Sequence, residues 1–195
     1  MINCILTGVG GQGTILASKL IAGAAMEKGL QVRTAETIGM AQRGGSVVSH
    51  VRLGEEIHSP LIPAHTADVI IGFEPAEAVR TLPYLKKDGM VIVSNKAIKP
   101  VTASLSDSDY SGEEMLGYLK ERVSRLEIVD TDKICKLCGS AKVINVALLG
   151  VAATSGILGI SLEEMESIIR NTLPEKYIKL NLHALIEGAK VILPF

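Results

Sequence analysis

Gly8-Val-Gly-Gly-Gln-Gly13 is the stretch that organises this chain, because it separates two segments of different periodicity. The run Ile2–Thr7 before it is short, apolar and rich in β-forming residues, which predicts a buried strand. The segment Thr14–Lys28 after it carries apolar residues at helical spacing and stops at Gly29, which predicts a helix. A strand, a glycine turn and a helix in this order are the context that a G-x-G-x-x-G pattern needs before it indicates phosphate binding.

The glycine turn has two interpretations at the level of sequence. Glycines let the backbone turn tightly and approach a ligand closely, and the free N–H groups of the first helical turn attract an anion. On this interpretation the turn contacts a phosphate or a dinucleotide. On the other interpretation the glycines only permit close packing of the strand against the helix.

A second strand is predicted over Leu30–Glu36, which the helix joins to the first strand in a β-α-β unit. Glu36 ends this strand, about where a dinucleotide-binding fold places the acidic residue that binds a ribose. This position favours a cofactor site. The alternative is a solvated glutamate that opens a loop.

The segment Thr37–Ser46 follows and has neither a helical stripe nor strand alternation. It contains Gln42-Arg43-Gly44-Gly45, where paired glycines bring backbone amides and a guanidinium to one place. Arginine offers a planar fork of N–H donors that suits a phosphate or a carboxylate. The alternative is a surface loop whose arginine caps the C-terminus of a helix.

The rest of the chain predicts an α/β fold. Asp68–Phe73 and Gly89–Ser94 are apolar runs without alternation, typical of strands at the centre of a parallel sheet. Ser46–Leu53 alternates, and Gly54–Pro60 after it predicts a turn and a short return strand, which together form a hairpin insertion. We therefore predict a single domain over residues 1–195, with a mostly parallel sheet flanked by helices and a helical C-terminal part.

Composition excludes several classes of function. A net charge of −1, a pI near 6.4, no Trp and only two Phe predict a protein that does not bind nucleic acid. No apolar run approaches the roughly 20 residues that span a bilayer, and Met1-Ile-Asn-Cys4 lacks the basic region of a signal peptide. We expect a cytoplasmic protein without membrane contact. Its 47% hydrophobic residues predict a sheet buried on both faces or a surface covered by a partner.

No catalytic or metal-ligating set stands out. Cys135 and Cys138 form a C-x-x-C pair, but the third cysteine, Cys4, lies in the first strand, and a closed zinc or iron–sulfur site normally needs four ligands. We interpret the pair as small apolar residues of a short helix. His50 has no partner in the sequence to orient it as a base, and Asn145 in an apolar helix predicts a hydrogen-bonded core amide.

Taken together, these segments resemble the γ subunit of the 2-oxoacid:ferredoxin oxidoreductases, and in particular the small (beta) subunit of the indolepyruvate type. The resemblance covers nearly the whole chain, and the Gln-Arg-Gly-Gly stretch after Glu-Thr is far more specific than the glycine turn. The matching stretches are Gly8–Gly13, Glu36–Ser46, Val47–Arg52, Asp68–Glu74, Asn145–Gly150 and Asn181–Gly188.

The resemblance implies a Rossmann-like subunit of an enzyme that converts an arylpyruvate and coenzyme A into an arylacetyl-CoA, carbon dioxide and reduced ferredoxin. It assigns no cofactor to this chain alone, and it places thiamine diphosphate, magnesium and iron–sulfur clusters in the large (alpha) partner subunit. Coenzyme A is an expected contact at the entrance to the active site. The residues expected to face the cofactor or the partner are Gly8, Gly10, Gly11, Gln12, Gly13, Glu36, Thr37, Gln42, Arg43, Gly44 and Gly45.

Two alternatives to this function stay open. The chain could be the γ subunit of a pyruvate or a 2-oxoglutarate ferredoxin oxidoreductase, since these enzymes use similar subunits. It could also be a stand-alone oxidoreductase that binds a nicotinamide or flavin cofactor at Gly8–Gly13 and Glu36.

Overall fold

A computed structural model of the chain describes residues 1–39, 44–98 and 110–192. Within these ranges the strands and helices alternate along most of the chain, and short 3₁₀ turns cover Leu82–Tyr84 and Ala141–Val143. The elements are β1 (Ile2–Val9), α1 (Thr14–Glu27), β2 (Gln31–Ile38), β3 (Ser46–Gly54), β4 (Ala67–Gly72), α2 (Pro75–Thr81), β5 (Leu85–Ser94), α3 (Glu113–Arg122), β6 (Arg125–Val129), α4 (Thr131–Cys138), α5 (Ile144–Thr154), α6 (Leu162–Thr172) and α7 (Glu175–Ala189).

The described strands form one mixed sheet in the order β2-β3-β1-β4-β5-β6. β4, β5 and β6 continue parallel from β1, whereas β3 is antiparallel to both of its neighbours, β1 and β2. β3 is therefore the one described strand that runs against the others. The predicted α/β class with a mostly parallel sheet is confirmed.

The order of the first strands differs from the simplest β-α-β unit, because β3 lies between β1 and β2. Val51 of β3 pairs with Cys4 on one side and with Thr34 on the other. The hairpin of the fold consists of β2 and β3, and the predicted return strand over Gly54–Pro60 is wrong, since residues 55–66 contain no strand. Most of β3 is buried, so its backbone N–H and C=O groups need hydrogen-bond partners in a strand on each side. The segment after β3 cannot serve as such a strand, because its prolines have no N–H group to donate.

Helices cover both faces of the sheet. One core cluster joins β-strand residues such as Leu6 and Ile71 to α1, α5, α6 and α7, and a second joins Ile5 and Ile70 to α2 and α3. The surplus of apolar residues in the sequence is therefore used largely in two hydrophobic layers, one on each side of the sheet. This arrangement leaves the carboxyl ends of the parallel strands as the edge where loops can build a site.

α5 is buried around nearly its whole circumference, as its sequence predicts. It crosses α7 at two glycines: a Cβ at Gly150 would lie 2.1 Å from the Leu185 carbonyl oxygen, and one at Gly188 would lie 1.9 Å from that of Ala147. Among the described residues, no single helix has the length and apolarity to cross a membrane. The pair Thr131–Cys138 and Ala141–Thr154 passes by length and composition only, and it is bent by 119°.

Candidate functional site

The glycine turn leads from the end of β1 into the start of α1 at the carboxyl edge of the sheet. Gly13 is the N-cap residue of α1 and adopts the left-handed conformation, with φ at 81°. A Cβ at Gly13 would lie 2.5 Å from Nδ2 of Asn145, so a glycine is needed here for conformation and for space. No side chain of the described residues caps α1, which leaves N–H groups of its first turn available to a ligand.

The Gln12 side chain stabilises the turn by two hydrogen bonds to the backbone. Its Oε1 accepts a hydrogen bond of 2.8 Å from the Val9 amide, and its Nε2 donates one of 2.8 Å to the Phe73 carbonyl oxygen. A Cβ at Gly8 would lie 2.6 Å from the same Oε1. Gln12 thus ties β1 to the residue that follows β4, and Gly8 is required for this packing. Their position gives both residues a role in shaping the turn.

The segment before β3 that carries Gly44 and Gly45, called the glycine loop below, meets the turn directly. The Gly10 amide donates a hydrogen bond of 2.8 Å to the Gly45 carbonyl oxygen. At the base of the loop, the Gly39 amide donates one of 2.8 Å to the carbonyl oxygen of Ser46, the first residue of β3. The candidate residues Gln42 and Arg43 lie outside the described residues.

A cleft of about 500 Å³ opens beside this junction. The turn forms one wall, Leu16, Ile98 and Ile144 form an apolar part, and two lysines approach from the segments after β5 and before α5. The lining residues are Val9, Gly10, Gly11, Gln12, Gly13, Leu16, Gly44, Lys96, Ile98, Ala141, Lys142, Ile144 and Asn145. Five of the residues predicted from the sequence are therefore together in one cleft: Gly10, Gly11, Gln12, Gly13 and Gly44.

The two lysines are the site residues that the sequence reasoning missed. Lys96 donates to Asp132 Oδ1 at 2.8 Å, and this hydrogen bond raises the pKa of Lys96 and keeps it protonated. Lys142 is exposed and forms no ion pair within the described part of the chain. Lys96 follows a buried strand by two residues, which is a usable signal for the carboxyl edge, whereas nothing in the sequence around Lys142 marks it.

Asn145 supports the turn from α5. Its side chain is almost fully buried, its Nδ2 donates to the Gly13 carbonyl oxygen at 3.3 Å, and its Oδ1 accepts from the Val146 amide at 2.9 Å. The prediction of a hydrogen-bonded core amide is confirmed. The bond also fixes the distance between α5 and the glycine turn, so Asn145 contributes to the shape of the cleft.

Glu36 and Thr37 lie apart from the cleft, on β2 and outside its lining. β3 separates β2 from β1, which places β2 about 10 Å from β1, twice the usual strand spacing. In a dinucleotide-binding fold the strand that carries the ribose-binding acid is adjacent to β1. Glu36 instead accepts a hydrogen bond of 3.4 Å from Ser18 of α1. The geometry thus favours a site without the ribose contact of a dinucleotide fold.

The other titratable groups considered in the sequence are packed as structural residues. His50 Nδ1 accepts from the Ile62 amide at 3.2 Å, and burial lowers the pKa of His50. Burial raises the pKa of both Cys135 and Cys138, which keeps their thiols protonated. Within residues 1–39, 44–98 and 110–192, no group of three or more His, Cys, Asp or Glu side chains is arranged to hold a metal ion.

Solved structures with the same fold include subunits of 2-oxoacid oxidoreductases. The keto/oxoacid ferredoxin oxidoreductase γ subunit of Geobacter sulfurreducens PCA is 21% identical, with a TM-score of 0.72 and full coverage of both chains. A 2-oxoglutarate:ferredoxin oxidoreductase of Magnetococcus marinus, solved with 2-oxoglutarate, coenzyme A and succinyl-CoA bound, is 20% identical with a TM-score of 0.70. This similarity covers 97% of the present chain and 30% of that one.

Sequence comparison gives the family. Indolepyruvate oxidoreductase subunit IorB of Archaeoglobus fulgidus is 41% identical over 188 residues, which cover 96% of this chain and 93% of the relative. The IorB subunit of Thermococcus kodakarensis is 37% identical over 190 residues, with coverage of 96% and 94%. The family described as pyruvate ferredoxin/flavodoxin oxidoreductase matches residues 3–191. The chain therefore belongs to the pyruvate ferredoxin/flavodoxin oxidoreductase family.

Proposed function

We propose that this chain is the small, γ-type subunit of an indolepyruvate:ferredoxin oxidoreductase. One observation carries the choice of substrate class. Four indolepyruvate oxidoreductase subunits are 36–41% identical to this chain over at least 95% of its length. Four common γ subunits of pyruvate/ketoisovalerate oxidoreductases are only 28–30% identical.

The reaction of the complete enzyme is the oxidative decarboxylation of an arylpyruvate. The arylpyruvate loses carbon dioxide, passes two electrons to oxidised ferredoxin and forms a thioester with coenzyme A, whose thiol releases a proton; the products are an arylacetyl-CoA, carbon dioxide, reduced ferredoxin and a proton. Thiamine diphosphate with magnesium and the iron–sulfur clusters, bound in the large subunit, would supply the decarboxylation and the electron transfer. This chain would contribute binding groups to the complex.

The groups around the cleft suit a ligand with anionic and apolar parts. The free amides at the start of α1 and the ammonium group of Lys142 favour phosphate. Lys96 lines the same cleft and contributes a weaker positive potential, because Asp132 offsets part of its charge. Leu16 and Ile144 provide an apolar surface on the same cleft. Coenzyme A, with its phosphates and its pantetheine arm, combines these properties. We propose that the cleft holds part of this cofactor when the subunits are assembled.

The large subunit would cover the neighbouring apolar surface. A smaller cleft of about 330 Å³ lies between the glycine turn and the side chains of Ile15, Ile38 and Val47. Ile38, the last residue of β2, is 57% exposed in the isolated chain. Exposed apolar groups beside a binding cleft are typical of a protein–protein contact. The partner would then complete the site from this side.

Reconstitution tests the proposal. The chain is co-expressed with the thiamine-binding subunit encoded in the same genome, and ferredoxin reduction is followed with indolepyruvate, pyruvate or 2-oxoglutarate, each with and without coenzyme A. We expect a stable complex whose activity requires this chain and is greatest with indolepyruvate. A chain that neither binds the large subunit nor restores its activity would refute the proposal. Preference for pyruvate or 2-oxoglutarate would reassign the substrate within the family.

A further inference from the structure

Two buried carboxylates lie at the start of α2, close to the glycine loops but outside the cleft lining. Glu74 is 2% exposed and Glu77 is 6% exposed. Placing charge inside a protein is costly unless each oxygen has hydrogen-bond donors. Both side chains are satisfied: Glu74 accepts from the Glu77 amide and the Tyr110 hydroxyl, and Glu77 accepts from Ser46 Oγ and Arg80 Nε.

The Glu74 carboxylate has an evident local role. It caps α2 by accepting a hydrogen bond of 3.0 Å from the Glu77 amide, and Glu74 is the N-cap residue of the helix. The Tyr110 hydroxyl also accepts from the Ala76 amide at 3.1 Å, so this arm of the cluster completes the first turn of α2. Burial and the Glu74 carboxylate raise the pKa of Tyr110, which keeps its hydroxyl a donor.

The Glu77 carboxylate accepts no capping hydrogen bond and instead contacts Ser46, the residue that follows Gly45. Its Oε2 accepts a hydrogen bond of 2.5 Å from Ser46 Oγ, and its Oε1 accepts one of 3.3 Å from Arg80. Ser46 directly follows Gly45, whose carbonyl oxygen accepts from the Gly10 amide. The path from α2 to the glycine turn therefore runs from Glu77 to the Ser46 side chain, along the backbone to Gly45, and from its carbonyl oxygen to the Gly10 amide.

We infer that Glu77 is a positioning residue for the glycine turn and acts through Ser46. This inference rests on the proposed function of the cleft. Gly44 has φ at 75°, and adjacent glycines leave the backbone many alternative conformations. Ser46 itself is held in β3 by its pairing with Val9 and by the hydrogen bond that its carbonyl oxygen accepts from the Gly39 amide. The charge-assisted hydrogen bond to Glu77 of α2 adds a side-chain anchor directly beside the glycines, and so restricts where the Gly45 carbonyl oxygen receives the Gly10 amide.

The test uses the reconstituted complex and three variants of this chain. Ser46→Ala removes the donor to Glu77, and Ser46→Thr keeps a hydroxyl. Tyr110→Phe is the matched control, because it removes the hydrogen bonds of the Tyr110 hydroxyl to Glu74 and to the Ala76 amide and leaves those of Glu77 intact. The measurements are KM for coenzyme A, KM for the 2-oxoacid, kcat, and hydrogen exchange of the peptide that contains Gly10.

We expect Ser46→Ala to raise KM for coenzyme A about tenfold, the effect of one hydrogen bond to a charged group, with kcat and KM for the 2-oxoacid little changed. Exchange at Gly10 should become faster, and Ser46→Thr should restore both measurements. Tyr110→Phe should leave both at the wild-type values. If Ser46→Ala changes neither measurement, or if Tyr110→Phe changes them equally, the inference is overturned.

Lys142→Ala separates this inference from the proposed function of the cleft. If Lys142→Ala raises KM for coenzyme A and Ser46→Ala has no effect, the role of Glu77 is refuted alone. If Lys142→Ala has no effect, binding of coenzyme A in the cleft is refuted. Hydrogen exchange at Gly10 then still decides whether Glu77 positions the turn.

Discussion

Replacing single glycines of the turn provides a sharp test of how the site is built. Gly11 and Gly13 both have positive φ, at 101° and 81°. A Cβ at Gly11 would meet no atom within 4 Å, whereas one at Gly13 would lie 2.5 Å from Asn145 Nδ2. Gly11→Ala therefore introduces backbone strain only. Gly13→Ala introduces similar strain and also displaces a buried amide.

The structure gives the difference between the two variants. Placing alanine in the left-handed region costs about 1–2 kcal/mol, and this is the whole expected loss of stability for Gly11→Ala. Gly13→Ala also breaks the bond from Asn145 to the Gly13 carbonyl oxygen and strains the amide's position, about 1–2 kcal/mol more. We expect a total loss of about 3 kcal/mol for Gly13→Ala.

Urea unfolding of the chain, followed by circular dichroism, measures both losses. Asn145→Ala in the Gly13→Ala background removes the amide that the new methyl group meets. The double variant should therefore lose less stability than the sum of the two single variants, by about 1 kcal/mol. Equal losses for Gly11→Ala and Gly13→Ala, or strict additivity with Asn145→Ala, would show that α5 does not constrain the turn.

Three further outcomes follow from the same structure. Gly188→Ala should cost at least about 3 kcal/mol, because its Cβ would meet the Ala147 carbonyl oxygen at 1.9 Å, and thermal unfolding should show no such loss for Gly117→Ala in α3, where nothing lies within 4 Å. Lys142→Ala in the reconstituted complex should raise KM for coenzyme A with a weaker salt dependence, since one positive group is lost from the cleft; unchanged kinetics at low salt would contradict this. Burial lowers the pKa of His50 below 6.5, so the unfolded chain binds a proton that the folded chain does not, and stability should fall as pH decreases below about 6.5 and level off below the folded pKa. Urea titrations between pH 5 and 7 should show a smaller decrease for His50→Gln, and an identical decrease in both chains would exclude His50 as the cause.

Local patterns in the sequence predicted most of the elements. Ser161 and Glu164 form a capping box at the start of α6, and the Asp130 side chain caps α4; both residue patterns are visible in the sequence. The apolar runs of β4 and β5 are central strands. These predictions succeed because periodicity, caps and breakers act over a few residues and depend little on the rest of the chain.

The order of the strands was beyond these local patterns. The alternation of β3 indicates a strand but does not predict which strands it pairs with. The position of β3 between β1 and β2 depends on contacts between residues far apart in the chain. That insertion moves Glu36 away from the glycine turn. The hydrogen-bond partners of Gln12 could not be predicted either. Its side-chain amide bonds to Val9 and Phe73, and Phe73 comes close only because β4 lies beside β1.

The sequence by itself determined the glycine turn, its strand and helix, and the family to which these motifs point. These features reside in contiguous residues, whose conformations follow from the absence of a Cβ and from hydrophobic spacing. The tertiary structure decided which groups share the cleft: Lys96 and Lys142 arrive there from separate parts of the chain, and Glu36 does not. Proximity in space depends on how the sheet is ordered and covered, and this is fixed by packing across the whole molecule.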